Sequence, residues 1–221
     1  MYEQMTLWDY QANLSAQQDS IPEEKVIISM DGEVIFYKNY FNLNESDRLF
    51  SELYADIKWQ QKTIQIFGKR NLLPRLTAWY GDEGQSYIYS GIEHNPEPWN
   101  PALSLIKERI EKVAQVRFNS VLLNLYRNGR DSVAWHSDDE PELGQNPIIA
   151  SVSFGGTRCF SLKHKQIKQR KVEIDLPHGS LLLMRGETQH HWQHQIAKTT
   201  KSVSPRINLT FRIIKGSRST L

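Results

Sequence analysis

Polar and apolar residues alternate along the stretch from Arg206 to Ile213. A period of two residues is typical of a β-strand, so this stretch predicts a strand with one apolar and one polar face. Its polar face carries Arg206, Asn208, Thr210 and Arg212. A strand facing solvent would tolerate these residues. A histidine-rich segment precedes this strand, however, and favours a polar face that lines an interior site.

The remaining hydrophobic pattern predicts a hairpin, two helices and a long run of strands. The apolar runs 26–28 and 34–37 flank Asp31-Gly32, which is a hairpin signal. Helical spacing predicts a first helix with Asn44 as its N-cap and a second helix that begins at Asn100. Downstream, short apolar segments are separated by glycines. We expect a β-rich fold with helices packed on one sheet.

Composition limits the class of protein without identifying it. A chain of 221 residues can bury the core of one sizeable domain. The net charge of +2 does not indicate a nucleic-acid binder, and the single cysteine, Cys159, excludes an internal disulfide. Without an apolar run of membrane-spanning length or an export signal, we expect a cytoplasmic protein. We also expect it to be a monomer.

Positive charge is concentrated in two runs that are candidates for phosphate contacts. A solvated, lysine-rich hairpin is the structural alternative for the second run. The first run contains Lys62, Lys69, Arg70 and Arg75, and the second contains Lys163, Lys165, Lys168, Arg170 and Lys171.

His136 and Asp138 are two residues apart, so on an extended strand their side chains project from the same face. A second histidine would complete a set of two imidazoles and one carboxylate, which holds a ferrous ion and leaves positions for a co-substrate and O2. His190, His191 and His194 are the downstream candidates, and spacing alone does not choose among them.

The strand from Arg206 to Arg212 would suit a small dicarboxylate. Guanidinium groups bind carboxylates through charge-assisted, often bidentate hydrogen bonds, and an Asn and a Thr lie between the two arginines. A metal site beside a dicarboxylate pocket points to iron with 2-oxoglutarate.

Several motifs occur together between residues 64 and 214, in a specific order. They are Ile66-Phe67-Gly68-Lys69, Pro74-Arg75, Tyr80-Gly81-Asp82, Tyr87-Ile88-Tyr89-Ser90-Gly91, Asn124-Leu125-Tyr126, His136-Ser137-Asp138-Asp139-Glu140, Ala150-Ser151-Val152-Ser153-Phe154-Gly155, His178-Gly179-Ser180-Leu181, His191-Trp192-Gln193-His194, and the stretch from Pro205 to Arg212. With these motifs the chain resembles the AlkB family of Fe(II)/2-oxoglutarate-dependent dioxygenases. It is most similar to the homologues that repair alkylated bases in double-stranded DNA.

The resemblance implies a mainly β, α+β fold: a double-stranded β-helix, or jelly roll, with N-terminal helices and a nucleotide-recognition lid. Residues 1–24 would form a flexible tail and residues 25–221 the dioxygenase domain. Within that domain, the lid and a finger would occupy about 60–95 and the jelly-roll core about 118–215. The implied activity is oxidative demethylation of alkylated DNA bases with release of formaldehyde.

The resemblance also assigns roles to individual residues. It selects His194 as the third Fe(II) ligand beside His136 and Asp138, and it implies 2-oxoglutarate and O2 as co-substrates. The implied 2-oxoglutarate residues are Asn124, Tyr126, Arg206, Asn208, Thr210 and Arg212. The implied substrate residues are Ile66, Phe67, Gly68, Lys69, Arg75, Tyr87, Ile88, Tyr89, Ser90, Asp139 and Glu140, with Phe67 as a wedge in the base stack and Asp139 favoured over Glu140 for sensing a cationic base.

Two alternatives and one further partner remain open. The same chemistry on RNA or tRNA would need the same metal and co-substrate residues, and a non-catalytic jelly-roll binding module would have lost a ligand. In the tail, the segment from Gln4 to Trp8 resembles peptides that dock bacterial repair proteins on the replication sliding clamp. Leu7 and Trp8 would instead pack on the domain if the tail has no partner.

Overall fold

The computed structural model describes residues 23–66, 69–84, 87–89 and 92–215. It opens with an antiparallel hairpin of β1 (Glu24–Ile28) and β2 (Glu33–Tyr37). Asp31 and Gly32 in the turn have φ angles of 55° and 137°, which confirms the predicted hairpin. β1 begins at Glu24, the residue expected to end the tail.

Two helices follow at the predicted places, with one error at a helix start. Helix α1 (Leu43–Asp56) is capped by Asn42, whose side chain accepts a hydrogen bond from the Glu45 amide at 2.9 Å. The prediction of Asn44 as the cap was therefore wrong, because Asn44 already lies in the first turn and an asparagine two residues earlier reaches the free amide. Helix α2 (Pro101–Ala114) is capped by Asn100, as predicted.

The remaining elements are mostly strands. They are β3 (Thr63–Ile66), β4 (Lys69–Leu72), β5 (Leu76–Gly81), β6 (Tyr87–Tyr89), β7 (Ile92–His94), β8 (Ser120–Tyr126), β9 (Val133–His136), a 3-10 turn (Pro141–Leu143), β10 (Ile149–Gly155), β11 (Arg158–His164), β12 (Lys171–Leu176), β13 (Ser180–Arg185), the short helix α3 (Thr188–His191), β14 (Trp192–Ile196) and β15 (Arg206–Arg212).

The strands form two large sheets and two small hairpins. The major sheet has the order β1-β2-β13-β10-β15-β8-β5, and the minor sheet has the order β12-β11-β14-β9. β3 pairs with β4, and β6 pairs with β7. All these pairings are antiparallel, and the chain crosses repeatedly between the two large sheets, which is the jelly-roll arrangement predicted from the motifs.

The major sheet is buried on both faces, so it separates two apolar cores. On its outer face, Leu123, Val152 and Leu209 pack with Leu53 of α1 and Ile106 of α2. Between the sheets lies a second cluster, which includes Phe36, Tyr126, Phe160, Leu162, Leu182, Trp192 and Ile196. This second cluster surrounds the polar inner side of β15, and it is where the candidate site lies. No helix in the described ranges is long and apolar enough to cross a membrane.

Candidate active site

Two antiparallel strands of the minor sheet bring the predicted metal ligands together. His136 is the last residue of β9 and lies directly opposite His194 of β14, with ring centroids 4.3 Å apart. Asp138 follows two residues after His136, and its Oδ1 lies 3.8 Å from His136 Nε2. One ligand atom from each of the three residues lies within 4.8 Å of the others. The other candidates, His190 and His191, lie in α3 outside this group.

A bulge in β9 fixes the ring of His136. Between the pairs His194↔His136 and Ile196↔Val133, β9 has two residues, Ala134 and Trp135, opposite the single residue Gln195. His136 Nδ1 lies 2.8 Å from the Ala134 carbonyl oxygen. Because a carbonyl only accepts, Nδ1 donates its proton and leaves the lone pair of Nε2 for a metal.

The electrostatics of the site keep its ligands ready for a metal. Burial lowers the pKa of His194 to about 4, and Phe160 stacks on its ring. Burial raises the pKa of Asp138, but the positive charge of Arg212 and the neighbouring imidazoles outweigh that effect and lower it overall. Neutral imidazole and ionised carboxylate are the forms that bind a metal. Two histidines and one carboxylate on one side of a cavity fit Fe(II) with open positions opposite.

The cavity beside these ligands has a volume of about 590 Å³ and is lined by all nine residues predicted for the metal and the co-substrate. Arg206 is 1% exposed, at the inner end of β15. Its Nη2 donates to Ser153 Oγ at 2.9 Å, and its guanidinium carbon lies 5.2 Å from the centre of the Tyr126 ring. Nε and Nη1 of Arg206 have no hydrogen-bond partner within the described residues. Burial lowers the pKa of Arg206 to about 10, so it remains a cation at neutral pH.

A buried cation with two unpaired donors is costly unless an anion joins it. A carboxylate accepts two hydrogen bonds from one guanidinium, so the distal carboxylate of 2-oxoglutarate fits these two donors. The open donors of Arg206 therefore support the predicted co-substrate from an observation independent of the motifs.

The polar residues between the two arginines shape the pocket. Asn208 Nδ2 donates to Ser151 Oγ at 2.8 Å and to the Val152 carbonyl at 3.1 Å. Thr210 Oγ1 donates to Asn208 Oδ1 at 3.2 Å. Because both bonds donated by the Asn208 amide group go to β10, Asn208 holds β15 in register with β10, and Thr210 orients the Asn208 side chain.

Arg75 lines the cavity and is held by two hydrogen bonds. Its Nε donates to Asn124 Oδ1 at 2.6 Å, and its Nη1 donates to the Ser132 carbonyl at 3.1 Å. The resemblance grouped Arg75 with the substrate residues and Asn124 with the co-substrate residues. Their contact joins the two groups at one wall of the cavity.

The two acidic residues after Asp138 have different neighbours. Glu140 lines the cavity, and its Oε1 lies 3.6 Å from Arg212 Nη1. The side chains of Asp139 and Glu140 are exposed to a similar degree, at 56% and 53%, but Asp139 does not line the cavity, and its Oδ2 lies 3.5 Å from Lys165 Nζ. Glu140 is thus the carboxylate that faces the cavity beside the metal ligands.

Sequence reasoning missed Gln189, which supports the metal site from the short helix α3. Its side chain is 1% exposed, and its Oε1 accepts a hydrogen bond from the Asp138 amide at 2.9 Å. Its Nε2 lies 3.6 Å from Met184 Sδ, and its carbonyl oxygen accepts from Lys165 Nζ at 2.9 Å. The proximity of Gln189 to the histidine-rich motif was the only signal in the sequence.

Only some of the residues predicted to contact nucleic acid lie within the described ranges. Strand β3 ends at Ile66, and its partner β4 begins at Lys69. Tyr87, Ile88 and Tyr89 form β6. Phe67, Gly68 and Ser90, as well as the tail segment from Gln4 to Trp8, lie outside the described residues.

His164 and His178 make fixed contacts outside the metal site. Nε2 of the buried His164 lies 3.1 Å from Asp31 Oδ2. The amide of Gly155 donates to His178 Nδ1 at 2.7 Å. Both rings therefore tie turns to neighbouring elements, which is a structural role.

Comparisons with known proteins agree with this geometry. Residues 33–212 match the family model described as the 2OG-Fe(II) oxygenase superfamily. The bovine "Alpha-ketoglutarate-dependent dioxygenase alkB homolog 3" is 44% identical over 213 residues, which cover 87% of this chain and 74% of that protein. For its human counterpart the identity is 45% over 190 residues, with 82% of this chain and 66% of that protein covered.

A second group of relatives has a different name. The human "DNA oxidative demethylase ALKBH2" is 39% identical over 197 residues, which cover 85% of this chain and 76% of that protein. The solved structure titled "The structure of OsALKBH1" superposes with a TM-score of 0.60 at 14% identity and covers 86% of this chain and 100% of that one. This last similarity supports the fold alone. The family model and the curated relatives confirm the dependence on iron and 2-oxoglutarate, and the superposition agrees with the jelly roll: the chain belongs to the AlkB family of the 2OG-Fe(II) oxygenase superfamily.

Proposed function

We propose that this dioxygenase removes alkyl groups from damaged bases in DNA and thereby repairs them by direct reversal. The observation that carries the proposal is a single cavity that holds the two-histidine, one-carboxylate group and the open donors of Arg206. The relatives named DNA oxidative demethylase support DNA as the substrate class. The proposed lesions are 1-methyladenine and 3-methylcytosine, with etheno adducts as a further candidate class.

The residues of the chain would divide the work within the cavity. His136, Asp138 and His194 would hold Fe(II), and Arg206 would bind the distal carboxylate of 2-oxoglutarate. Bound iron supplies the oxidising power by using O2 and 2-oxoglutarate. Ser151, Asn208 and Thr210 keep β15 in place, so the carboxylate and the metal would be held at a fixed separation.

The proposed reaction balances in two steps. One oxygen atom of O2 is inserted into a C–H bond of the N-methyl group, and the other enters succinate as 2-oxoglutarate loses CO2. The resulting N–CH2OH group then loses formaldehyde: the hydroxyl proton leaves to solvent, the C–O bond becomes the carbonyl, and the base nitrogen keeps the electron pair of the broken C–N bond. The chain contributes position and shelter from solvent in this scheme.

Glu140 would select the damaged base by its charge. Both 1-methyladenine and 3-methylcytosine are cationic near neutral pH, whereas the undamaged bases are neutral. A carboxylate in the cavity favours the cation. Because Glu140 lines the cavity and Asp139 does not, and because Asp139 is paired with Lys165, we assign this role to Glu140.

We further propose a preference for duplex DNA. A base inside a duplex must be flipped out to reach the iron site, at a cost of a few kcal/mol. The motif Ile66-Phe67-Gly68-Lys69 matches the finger of duplex-specific homologues, in which an apolar side chain fills the gap in the base stack. Tyr87 and Tyr89 would stack on the flipped base, and the tail segment from Gln4 to Trp8 remains a predicted clamp peptide.

The decisive experiment is demethylation by the purified protein. Oligonucleotides with one 1-methyladenine, in single-stranded and duplex form, would be incubated with Fe(II), ascorbate and 2-oxoglutarate and then analysed by mass spectrometry. We expect loss of the methyl group, faster on duplex, and no loss with His136→Ala. If succinate forms while both DNA substrates stay methylated, the DNA proposal is wrong, and methylated RNA or tRNA becomes the substrate to test.

A further inference from the structure

The bulge in β9 has a consequence outside the metal site. Val133 packs in the core between the sheets and His136 faces the metal site, so the two bulge residues between them face the other side of the strand. Trp135 lines the same cavity as the metal ligands and belongs to neither apolar core among the described residues. A half-buried tryptophan thus lies in the wall of the cavity that would receive the target base.

The neighbours of Trp135 on the outer face of the minor sheet are polar. Lys163 Nζ lies 4.4 Å from the centre of the indole ring. Gln193 lies opposite Lys163 and Gln195 opposite Ser161 in the register of β14 with β11. Within the described ranges, neither glutamine side chain has a hydrogen-bond partner. We call Trp135, Lys163, Gln193 and Gln195 the Trp135 platform.

The composition of the Trp135 platform fits one kind of ligand. An aromatic ring beside a cation and free amides provides a stacking surface, a phosphate contact and hydrogen-bond donors, which is how proteins bind unpaired nucleotides. Lys198, an exposed cation at the rim of the cavity, extends the positive charge along the same edge. The platform is also continuous with the cavity, because Trp135 belongs to both.

We propose that the Trp135 platform binds an unpaired nucleotide that flanks the target base in a single-stranded nucleic acid. This inference rests on the proposed function for the position of the target strand. The neighbouring base stacks on Trp135, and its phosphate contacts Lys163. In a duplex the neighbouring bases stay paired, so the platform contributes mainly to single-stranded substrates.

The contact between Lys163 and Trp135 does not block this binding. An ammonium over an exposed ring interacts more weakly than a stacked nucleobase does. A base can therefore replace the ammonium on the ring, and Lys163 then gains a charge-assisted contact to phosphate. The single contact between Lys163 and Trp135 would thus be replaced by two contacts, one between the base and Trp135 and one between the phosphate and Lys163.

The test measures binding to undamaged strands, so it does not depend on catalysis. Fluorescence anisotropy would compare wild type, Trp135→Ala, Trp135→Phe and Lys163→Gln on labelled single-stranded DNA, single-stranded RNA and duplex DNA of one sequence. We expect Trp135→Ala to weaken single-strand binding about tenfold and duplex binding less than twofold, because each stacked base contributes on that scale. Trp135→Phe should retain most of the single-strand affinity.

Lys163→Gln should reduce the salt dependence of single-strand binding by about 0.7 in the log–log slope, which is one phosphate contact. Its matched control is Lys107→Gln, because Lys107 of α2 makes a similar contact, with its Nζ 4.6 Å from the ring of Trp99 before that helix, and α2 packs on the other side of the major sheet. The control should leave both affinity and slope unchanged. A loss of affinity by Trp135→Ala for RNA alone or for DNA alone would identify the single strand that the platform recognises.

Two results would overturn the inference. One is a single-strand affinity of Trp135→Ala within twofold of wild type. The other is an equal loss on single strands and duplex together with weaker Mn(II) binding by electron paramagnetic resonance, since Trp135 would then act by placing His136. A wild-type protein that binds single strands through Trp135 yet removes no methyl group would refute the proposed function and leave the platform intact.

Discussion

The cavity and the basic hairpin between β11 and β12 differ in the burial and the partners of their cations. In the cavity, Arg206 is 1% exposed, and two of its nitrogens have no partner within the described residues. In the hairpin, Lys171 Nζ lies 2.6 Å from Glu173 Oε1, and both side chains are about half exposed, at 53% and 54%. Lys165 is similarly engaged with Asp139 and with the Gln189 carbonyl.

This difference indicates separate roles: the buried cation of the cavity binds a specific anionic ligand, and the exposed cations of the hairpin contribute to nucleic-acid affinity. A buried, incompletely bonded cation is a strong requirement for an anionic ligand, since its desolvation has no other compensation. An exposed ion pair contributes about 0–1 kcal/mol and exchanges partners easily. Changes in the cavity should therefore cause large, specific losses, whereas changes in the hairpin should cause graded losses in nucleic-acid affinity.

The largest expected effect comes from Arg206. Arg206→Lys replaces a planar fork by a single ammonium that cannot bind a carboxylate at two points. We expect the KM for 2-oxoglutarate to rise roughly 100-fold, within the 2–5 kcal/mol that loss of a buried charge partner costs. Initial rates of succinate formation at varied 2-oxoglutarate would measure it.

Arg170→Lys is the matched control for Arg206→Lys, because it makes the same change in the basic hairpin and should leave that KM unchanged. Equal KM values for Arg206→Lys and wild type would place the co-substrate carboxylate elsewhere in the cavity, with Arg212 as the next candidate.

A smaller effect is expected at Gln189, which touches the metal site only through the Asp138 amide. Gln189→Leu keeps the volume but removes the acceptor, so the backbone before the carboxylate loses its anchor. Partners that orient metal ligands contribute about 10–100-fold to metal affinity. We expect a loss in this range for Mn(II), measured by titration.

The control for Gln189→Leu is Gln169→Leu at the exposed tip of the basic hairpin. If Gln189→Leu lowers the melting temperature but binds Mn(II) like wild type, Gln189 supports the fold and has no part in placing Asp138.

The contrast between cavity and hairpin also explains what the sequence could predict. The alternation in β15 and the spacing of His136 and Asp138 are local patterns, and both predicted inward-facing residues. The partners of these residues depend on strand register between distant segments. Gln189 and Asp138 are 51 positions apart, and Arg75 and Asn124 are 49 apart, so no local period connects them.

The cap of α1 shows the same limit at short range. Asn42 and Asn44 are both good capping residues, and only the backbone geometry decides which of them reaches the free amide. Residue type predicted that a cap exists there but not its position.

A substitution at Phe67 would test the proposed preference for duplex over single-stranded DNA. If its ring fills the gap left by a flipped base, Phe67→Ala should lower the demethylation rate on duplex roughly tenfold more than on single strands, because unstacking and pairing costs arise mainly in duplex. Leu72→Ala is the control, since Leu72 lies in the adjoining strand β4 and is 66% exposed.

Together with Trp135→Ala, the Phe67 variant gives opposite expectations for the two substrates. Phe67→Ala should impair duplex more, and Trp135→Ala should impair single strands more. Equal losses on both substrates for Phe67→Ala would contradict the proposed role of Phe67 as a wedge in the base stack.

The smallest expected effect concerns Asp131, which belongs to the framework and not to the chemistry. Its carboxylate accepts hydrogen bonds from the Arg127 amide at 2.9 Å and from Arg127 Nε at 2.8 Å. Burial raises the pKa of Asp131, but the hydrogen bonds and charge of Arg127 outweigh burial and lower it overall. Because the folded pKa is below the unfolded value, the carboxylate stabilises the fold above its ordinary pKa, and this stability is lost as the pH falls through the folded pKa.

Asp131→Asn should therefore reduce the free energy of unfolding by about 1–2 kcal/mol at neutral pH, with the low end favoured because Arg127 is partly exposed. The KM for 2-oxoglutarate should stay the same, in contrast to Arg206→Lys. Urea unfolding at several pH values would show the gap to wild type closing in acid, whereas Asp175→Asn on an exposed strand should show no gap at any pH. A gap that persists at low pH would mean that the shape of the side chain, and not its charge, holds the turn between β8 and β9.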